Sequence, residues 1–272
     1  MSEAPHPKPQ GAAFNAQLAA WLPAVEALAR EAGRLIMEVY ATDFAVQDKA
    51  DCSPLTVADE RAEALIVPAL RLLTPDWPVV AEEGAARGEA PELPHAAACF
   101  WLVDPLDGTR EFVARNGEFT VNIALVARGE PVLGVVYLPV PELLYAGVMG
   151  QGAWAVERGQ RRSVRCRRVP ATGAVLTCSR SHGDGAALER WLQGQAVAQR
   201  VEAGSSLKFG WLAEGRADVY ARFGRTMEWD TAAGHAVLAA AGGCVCDVQG
   251  LALRYGKPGF ETPHFIARGA PG

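Results

Sequence analysis

The stretch Trp101-Leu-Val-Asp104-Pro-Leu-Asp107-Gly-Thr109 carries the most information in the chain. An apolar run delivers two carboxylates, three residues apart, into a loop that Pro105 and Gly108 make tight. By itself Asp-Pro-Leu-Asp-Gly is equally a plain β-turn. Two further acids change the balance. Glu82 follows the short apolar run Val79-Val80, and Asp230 opens a helix-like segment that reaches Ala241 and is closed by Gly242-Gly243. Both acids stand where an ordered element begins or ends, the usual address of site residues on a rigid frame. Four carboxylates cannot converge bare, because two like charges ~4 Å apart repel by about 4 kcal/mol at an effective dielectric near 20. Convergence calls for hard cations held by oxygen, such as Mg²⁺, with phosphate as the natural substrate group. Each remaining acid keeps a structural alternative: Asp230 is also a good helix N-cap, and Asp59 fits the third position of a capping box opened by Thr56.

On the N-terminal side, apolar residues from Leu18 to Val39 recur in steps of three and four, which predicts an amphipathic helix with Pro23 in its first turn or bending it. Residues 1–17, with Pro5, Pro7 and Pro9, read as a mobile tail. A polar segment over 48–54 precedes a second helix, which Pro68 should kink. Strands are expected at 79–80, 100–103, 121–126 and 132–137, followed by a meander over 143–164, and strands mix with helices from Val175 onward. No repeat or long linker divides the chain. The expected organisation is an N-terminal α+β lobe over 18–150 carrying most metal ligands, and a C-terminal α/β lobe over 151–272 carrying Asp230 and the specificity residues.

Composition excludes several classes. The 272 residues are 50% hydrophobic and 21% charged, which suits a folded globular protein and not a disordered chain. A net charge of −5 argues against nucleic-acid binding through bulk positive charge. No apolar run approaches the ~18 residues of a membrane span. Six cysteines without a Cys-x-x-Cys pair suggest reduced thiols and a cytoplasmic protein, with peripheral contact to the inner membrane left open. Three features lead away from the acids. Gly150-Gln-Gly152-Ala-Trp-Ala155 fits a dinucleotide fingerprint only loosely. The arginines at 158, 161, 162, 165, 167 and 168 suggest the solvated face of a strand, and Cys244 and Cys246 alternate as buried strand thiols would.

Longer strings narrow the reading. Trp101 to Phe112 and Trp229-Asp-Thr-Ala-Ala-Gly234 resemble the two signatures of the inositol-monophosphatase superfamily. Arg115 to Leu125, Ser179-Arg-Ser-His182, Gly204 to Phe209 and Tyr220 to Gly224 resemble its 3'(2'),5'-bisphosphate nucleotidase branch, the bacterial CysQ type. The resemblance covers roughly residues 22 to 255. It implies an α+β or α/β layered sandwich with alternating αβαβα layers, two or three Mg²⁺ ions, inhibition by lithium and a link to sulfate assimilation. It further implies removal of the 3'-phosphate from adenosine 3',5'-bisphosphate, a small phosphorylated nucleotide, with a homodimer as one assembly open to the protein.

Carried over residue by residue, the resemblance makes Glu82, Asp104, Asp107, Asp230 and the carbonyl of Leu106 the metal ligands, with Asp59 and Thr109 orienting the attacking water. The main-chain N–H groups of Gly108 and Thr109 can hold phosphate oxygens, since glycine lets the backbone approach closely. Lys208 and Arg222 are the candidates for the second phosphate, with Ser205, Ser206 and His182 near the nucleoside; Glu82, Leu106 and Asp230 also border the substrate. The rival readings are an inositol or sugar phosphatase with the same centre, a non-catalytic metal-dependent nucleotide-binding protein, and an arginine-patch RNA-binding protein.

Overall fold

The computed structural model describes residues 11–42, 54–93, 99–180 and 185–270, with the backbone alone at 54–56. The first ten residues, the polar segment before Pro54 with Cys52, the side chain of Thr56, and His182 therefore lie outside the described part. One sheet holds seven strands in chain order: β1 (Val79–Ala81), β2 (Cys99–Asp107), β3 (Thr120–Ala127), β4 (Glu130–Leu138), β5 (Leu143–Val148), β6 (Gly152–Glu157) and β7 (Gln160–Val164). β1 runs parallel to β2, and every later neighbour is antiparallel. β2 is buried on both faces, which is why it reads as an unbroken apolar run.

On one face, Trp101 and Val103 meet helices α1 (Ala12–Tyr40) and α2 (Pro54–Leu73). α1 supplies Leu18, Leu22, Val25, Ala29 and Ile36; α2 supplies Ala58, Ala62, Ile66 and Leu70, every fourth residue. On the other face, Phe100 and Leu102 meet a layer containing α6 (Leu207–Ala213) and α7 (Glu228–Ala240). Beyond that layer lies a second sheet in the order β12 (Cys244–Asp247), β14 (Phe265–Arg268), β10 (Val219–Arg222), β8 (Ala174–Ser179), β9 (Val197–Ala203). α5 (Gly185–Leu192) covers its outer face through Leu188, Trp191 and Leu192. Three short elements complete the site region: α3 (Glu82–Ala86), α4 (Thr109–Val113) and the ribbon β11 (Thr226–Met227) with β13 (Glu261–Thr262). The layers alternate αβαβα, as the resemblance implies.

Two glycines let α7 lie directly on the first sheet. A Cβ at Gly134 in β4 would stand 2.3 Å from the carbonyl oxygen of Ala233, and one at Gly147 in β5 would stand 2.6 Å from Cα of Val237. This close seating sets where the first turn of α7, and with it Asp230, sits above β2.

Several boundaries differ from the sequence expectations. α1 opens at Ala12, six residues inside the expected tail, because Phe14 is buried one turn before Leu18 and prolongs the same stripe. Pro23 consequently lies well inside the helix. α2 opens at Pro54, where a fixed φ suits a first helical turn, so Asp59 is not a third-position cap but a residue of the second turn. The first sheet continues through Val164, so a division at 150 would cut a continuous meander; the change of sheet falls between β7 and β8. α7 opens at Glu228, two residues before Asp230. Cys244 is exposed and Cys246 half-buried, because Val245 takes the inward position on the edge strand β12. The arginine run behaves as expected on β7, whose first four residues are exposed at the other sheet's edge. Among the described residues no helix is long and apolar enough to cross a membrane.

Gly134→Ala should force α7 off the sheet, destabilising the protein by about 1–3 kcal/mol as overpacking does. Thermal melts of the two proteins check this; an unchanged midpoint would mean that the helix seats elsewhere.

Candidate active site

Residues three apart on a regular strand point to opposite faces. Asp104 and Asp107 escape that rule through a register shift. Asp104 pairs with Asn122 of β3 and Asp107 pairs with Thr120, so β2 spends three steps where β3 spends two. The extra residue is a bulge at Pro105-Leu106, the kind of irregularity proline marks within a sheet. It turns both carboxylates to the face shared by Asn122 and Thr120 and leaves Leu106 fully buried in the opposite core. The main-chain N–H of Leu106 donates back to Asp104 Oδ1 at 3.0 Å, fixing the bulge. Gly108 then turns the chain with a left-handed φ of 94° into α4, whose first residue is Thr109.

The remaining acids arrive from three other elements. Glu82 is the first residue of α3, directly after β1. Asp230 is the third residue of α7, where its Oδ2 accepts from the Met227 N–H at 2.8 Å and from the Thr226 hydroxyl at 2.6 Å. It reaches back over the helix start and so is not the N-cap itself. Carboxylate oxygens of Glu82, Asp104 and Asp230 lie within 4.8 Å of one another. Asp59, from α2, is buried nearby, with Oδ1 lacking a hydrogen-bond partner.

Burial and mutual repulsion raise Glu82, Asp107, Asp104 and Asp59. Glu82 is pushed up to about 7 by burial and the Asp230 charge. Asp107 is pushed up to about 6 by burial and Asp230, while Lys208, Ser206 and Asn122 pull the other way. Asp104 is held well above the usual carboxylate range by burial first and then by Glu82 and Asp107. Asp59 is pushed up to about 9, by burial and then by Glu82 and Glu83. An all-oxygen donor set whose members repel one another fits a hard divalent cation.

A cleft of about 380 Å³ contains this cluster. Its walls include Glu82, Asp104, Leu106, Asp107, Gly108, Thr109, Ser205, Ser206, Lys208, Arg222 and Asp230. Thus all but two of the residues singled out from sequence border one space. Asp59 stands behind it, and His182 lies outside the described residues. Ser205 takes a left-handed φ of 43°, rare for a residue with a side chain, and its buried hydroxyl has no partner. Lys208 is buried; its ammonium donates to the carbonyls of Ala203, at 3.1 Å, and Ser205, and lies 5.1 Å from the centre of the Tyr220 ring. Lys208 therefore holds the turn that presents Ser205.

Comparison with known proteins agrees with this geometry. Residues 17–266 match the model of the inositol monophosphatase family. The chain is 50% identical over 241 residues to the 3'(2'),5'-bisphosphate nucleotidase CysQ of Escherichia coli O157:H7, covering 88% of this chain and 95% of that protein. It is 36% identical over 231 residues to mouse (Mus musculus) inositol monophosphatase 2, covering 82% of this chain and 78% of that one. Among solved structures, CysQ from Bacteroides thetaiotaomicron superposes with a TM-score of 0.80 at 36% identity, covering 95% of this chain and 99% of its own.

The chain belongs to the inositol monophosphatase family. Enzymes of this family depend on metal ions, typically Mg²⁺, and this chain places a cluster of acidic residues, Glu82, Asp104 and Asp230, in its cleft. Sequence reasoning missed the groups that hold the acids: Thr226 on Asp230, and Thr120 and Asn122, whose side chains each lie 3.4 Å from Asp107 Oδ2. Their signal was available in principle, since Thr120 and Asn122 alternate on a strand beside the acids.

The raised values carry a sign. Folded-state values of about 6, 7 and 9 lie above the ordinary 3.8 and 4.5, so the folded protein binds those protons more tightly than the unfolded chain. Their stabilising contribution is present at low pH and is lost as pH rises through the folded values. The thermal midpoint of metal-free protein should fall from pH 6 to pH 9, and saturating Mg²⁺ should raise it most at pH 9. A midpoint indifferent to Mg²⁺ across that range would contradict the clustering.

Proposed function

We propose that this protein is a Mg²⁺-dependent phosphomonoesterase that removes the 3'-phosphate of adenosine 3',5'-bisphosphate, giving AMP and phosphate. The observation that carries the reading is the double character of one cleft: the acid cluster shares its walls with Lys208, Arg222 and Arg225. A substrate bearing a second phosphate, remote from the one hydrolysed, suits fixed positive charge beyond the metal ligands. The likeness to nucleotidases along nearly their whole length supports the same assignment.

In this reading Glu82, Asp104, Asp107, Asp230 and the Leu106 carbonyl hold two or three ions. Divalent cations held there would offset the Glu82 charge, one of the causes after burial that raise Asp59, and would supply Lewis acidity to the phosphoryl oxygens. The Thr109 hydroxyl orients the attacking water, and ionised Asp59 accepts its proton. The N–H groups of Gly108 and Thr109 hold the non-bridging phosphate oxygens. The water oxygen forms the new bond to phosphorus as the ribose 3'-oxygen leaves, so no covalent enzyme intermediate is required. Lys208 and Arg222 take the 5'-phosphate, with Ser205, Ser206 and His182 beside the nucleoside. The dual duty of Lys208, tethering the Ser205 turn while charging the cleft, makes substrate affinity depend on the turn's shape.

Phosphate release from adenosine 3',5'-bisphosphate and from inositol 1-phosphate, measured side by side with and without Mg²⁺, tests the proposal. The nucleotide should be the better substrate, and only with Mg²⁺. Asp59→Asn and Thr109→Ala should each lower kcat by roughly 10²–10⁴ with little change in KM. Wild-type protein that cleaves inositol phosphate and ignores the nucleotide would sink the substrate assignment; no turnover of either would favour a binding protein.

A further inference from the structure

One buried side chain reaches two of the acids, Asp107 directly and Asp230 through a hydroxyl. Asn122 lies opposite Asp104 in the β2–β3 register, so their side chains share a sheet face. Its Nδ2 donates to Asp107 Oδ2 at 3.4 Å and to Ser206 Oγ at 3.0 Å. Ser206 in turn donates its hydroxyl hydrogen to the main-chain carbonyl of Asp230 at 2.6 Å. The direction of this relay is fixed by chemistry. A carbonyl and a carboxylate only accept, and Ser206 has a single hydrogen, which Asp230 takes. The Ser206 oxygen must therefore accept from Asn122, and both hydrogens of the amide are used.

The relay spans the molecule's layers. Asn122 belongs to the first sheet, Ser206 immediately precedes α6, and Asp230 belongs to the first turn of α7. Asn122 is 1% exposed, and its Oδ1 has no hydrogen-bond partner among the described residues. An unmatched buried acceptor opposes folding, so packing alone favours an apolar side chain at this position. The two donated hydrogen bonds explain why an amide stands there.

We infer that Asn122, acting through Ser206, is a positioning residue that sets the spacing between the metal ligands Asp107 and Asp230 before any ion binds. The inference rests on the reading of the acid cluster as a divalent-metal site, but not on which phosphoester is cleaved. Removing a group that orients a metal ligand from behind typically costs about 10–100-fold in metal affinity. Asn122→Leu keeps the branched outline of the side chain, at somewhat larger volume, and removes both donors. Ser206→Ala cuts the relay one bond later and also removes the pull of the Ser206 hydroxyl on Asp107, leaving Asp107 its contact with Asn122.

Binding of Mn²⁺ to the purified full chain, followed by the electron paramagnetic resonance signal of free Mn²⁺, reads the effect without substrate or turnover. Asn122→Leu should weaken binding by about tenfold or more, and Ser206→Ala by a smaller factor. The double variant should lose no more than Asn122→Leu alone, because both substitutions break one connection. Circular dichroism and the thermal midpoint of each variant establish that it is folded; should Asn122→Leu fail, Ser206→Ala carries the test. Mn²⁺ affinities of the folded variants within twofold of wild type would overturn the inference while leaving the metal site standing, as would a double loss equal to the product of the single losses. Wild-type protein that binds no Mn²⁺ would overturn both together.

Discussion

Repulsion among Glu82, Asp104, Asp107 and Asp230 opposes folding. The structure meets it with geometry. A bulge in β2 brings two acids to one face, β1 ends at the third, and α7 carries the fourth on its first turn. Neutral donors such as the Leu106 N–H and the Thr226 hydroxyl aim the carboxylates without satisfying their charge. Asp59, buried among further acids, shares the same electrostatic fate. Elevated proton affinity is what such a site should display without its ions.

Packing explains why these acids stay in register. Helices α1 and α2 press on one face of the first sheet and α7 on the other, so β2 is clamped from both sides. Gly134 and Gly147 allow α7 to approach at backbone distance, which ties Asp230 to the sheet bearing Asp104 and Asp107. The second sheet adds the turn at Ser205, tethered by the buried ammonium of Lys208. The acid cluster and the Ser205 turn therefore meet along the seam between the two sheets' layers.

Much of this was readable from the chain before folding was considered. Three- and four-residue spacing located α1 and α2, alternation and apolar runs located β2 to β7, and signature strings gathered the acids. What escaped depends on tertiary context. Whether Asp104 and Asp107 share a face is set by a register shift that pairing with β3 produces, and Pro105 hints at it without fixing it. The outward turn of Cys244 follows from β12 being an edge strand, which spacing cannot reveal. The start of α1 was misplaced because proline-rich residues before Gly11 obscured Phe14, whose burial extends the helix. Asp230 looked like a cap because the helix signal begins with it, whereas Glu228 and Trp229 already belong to the first turn.

A crystal soaked in Mn²⁺ and measured at the manganese absorption edge would locate bound ions without assumption about turnover. The account predicts anomalous peaks in the cleft, in direct coordination with Glu82, Asp104, Asp107 and Asp230, with those side chains close to their present positions. Peaks confined to other surface acids, with these four carboxylates left without an ion, would contradict it.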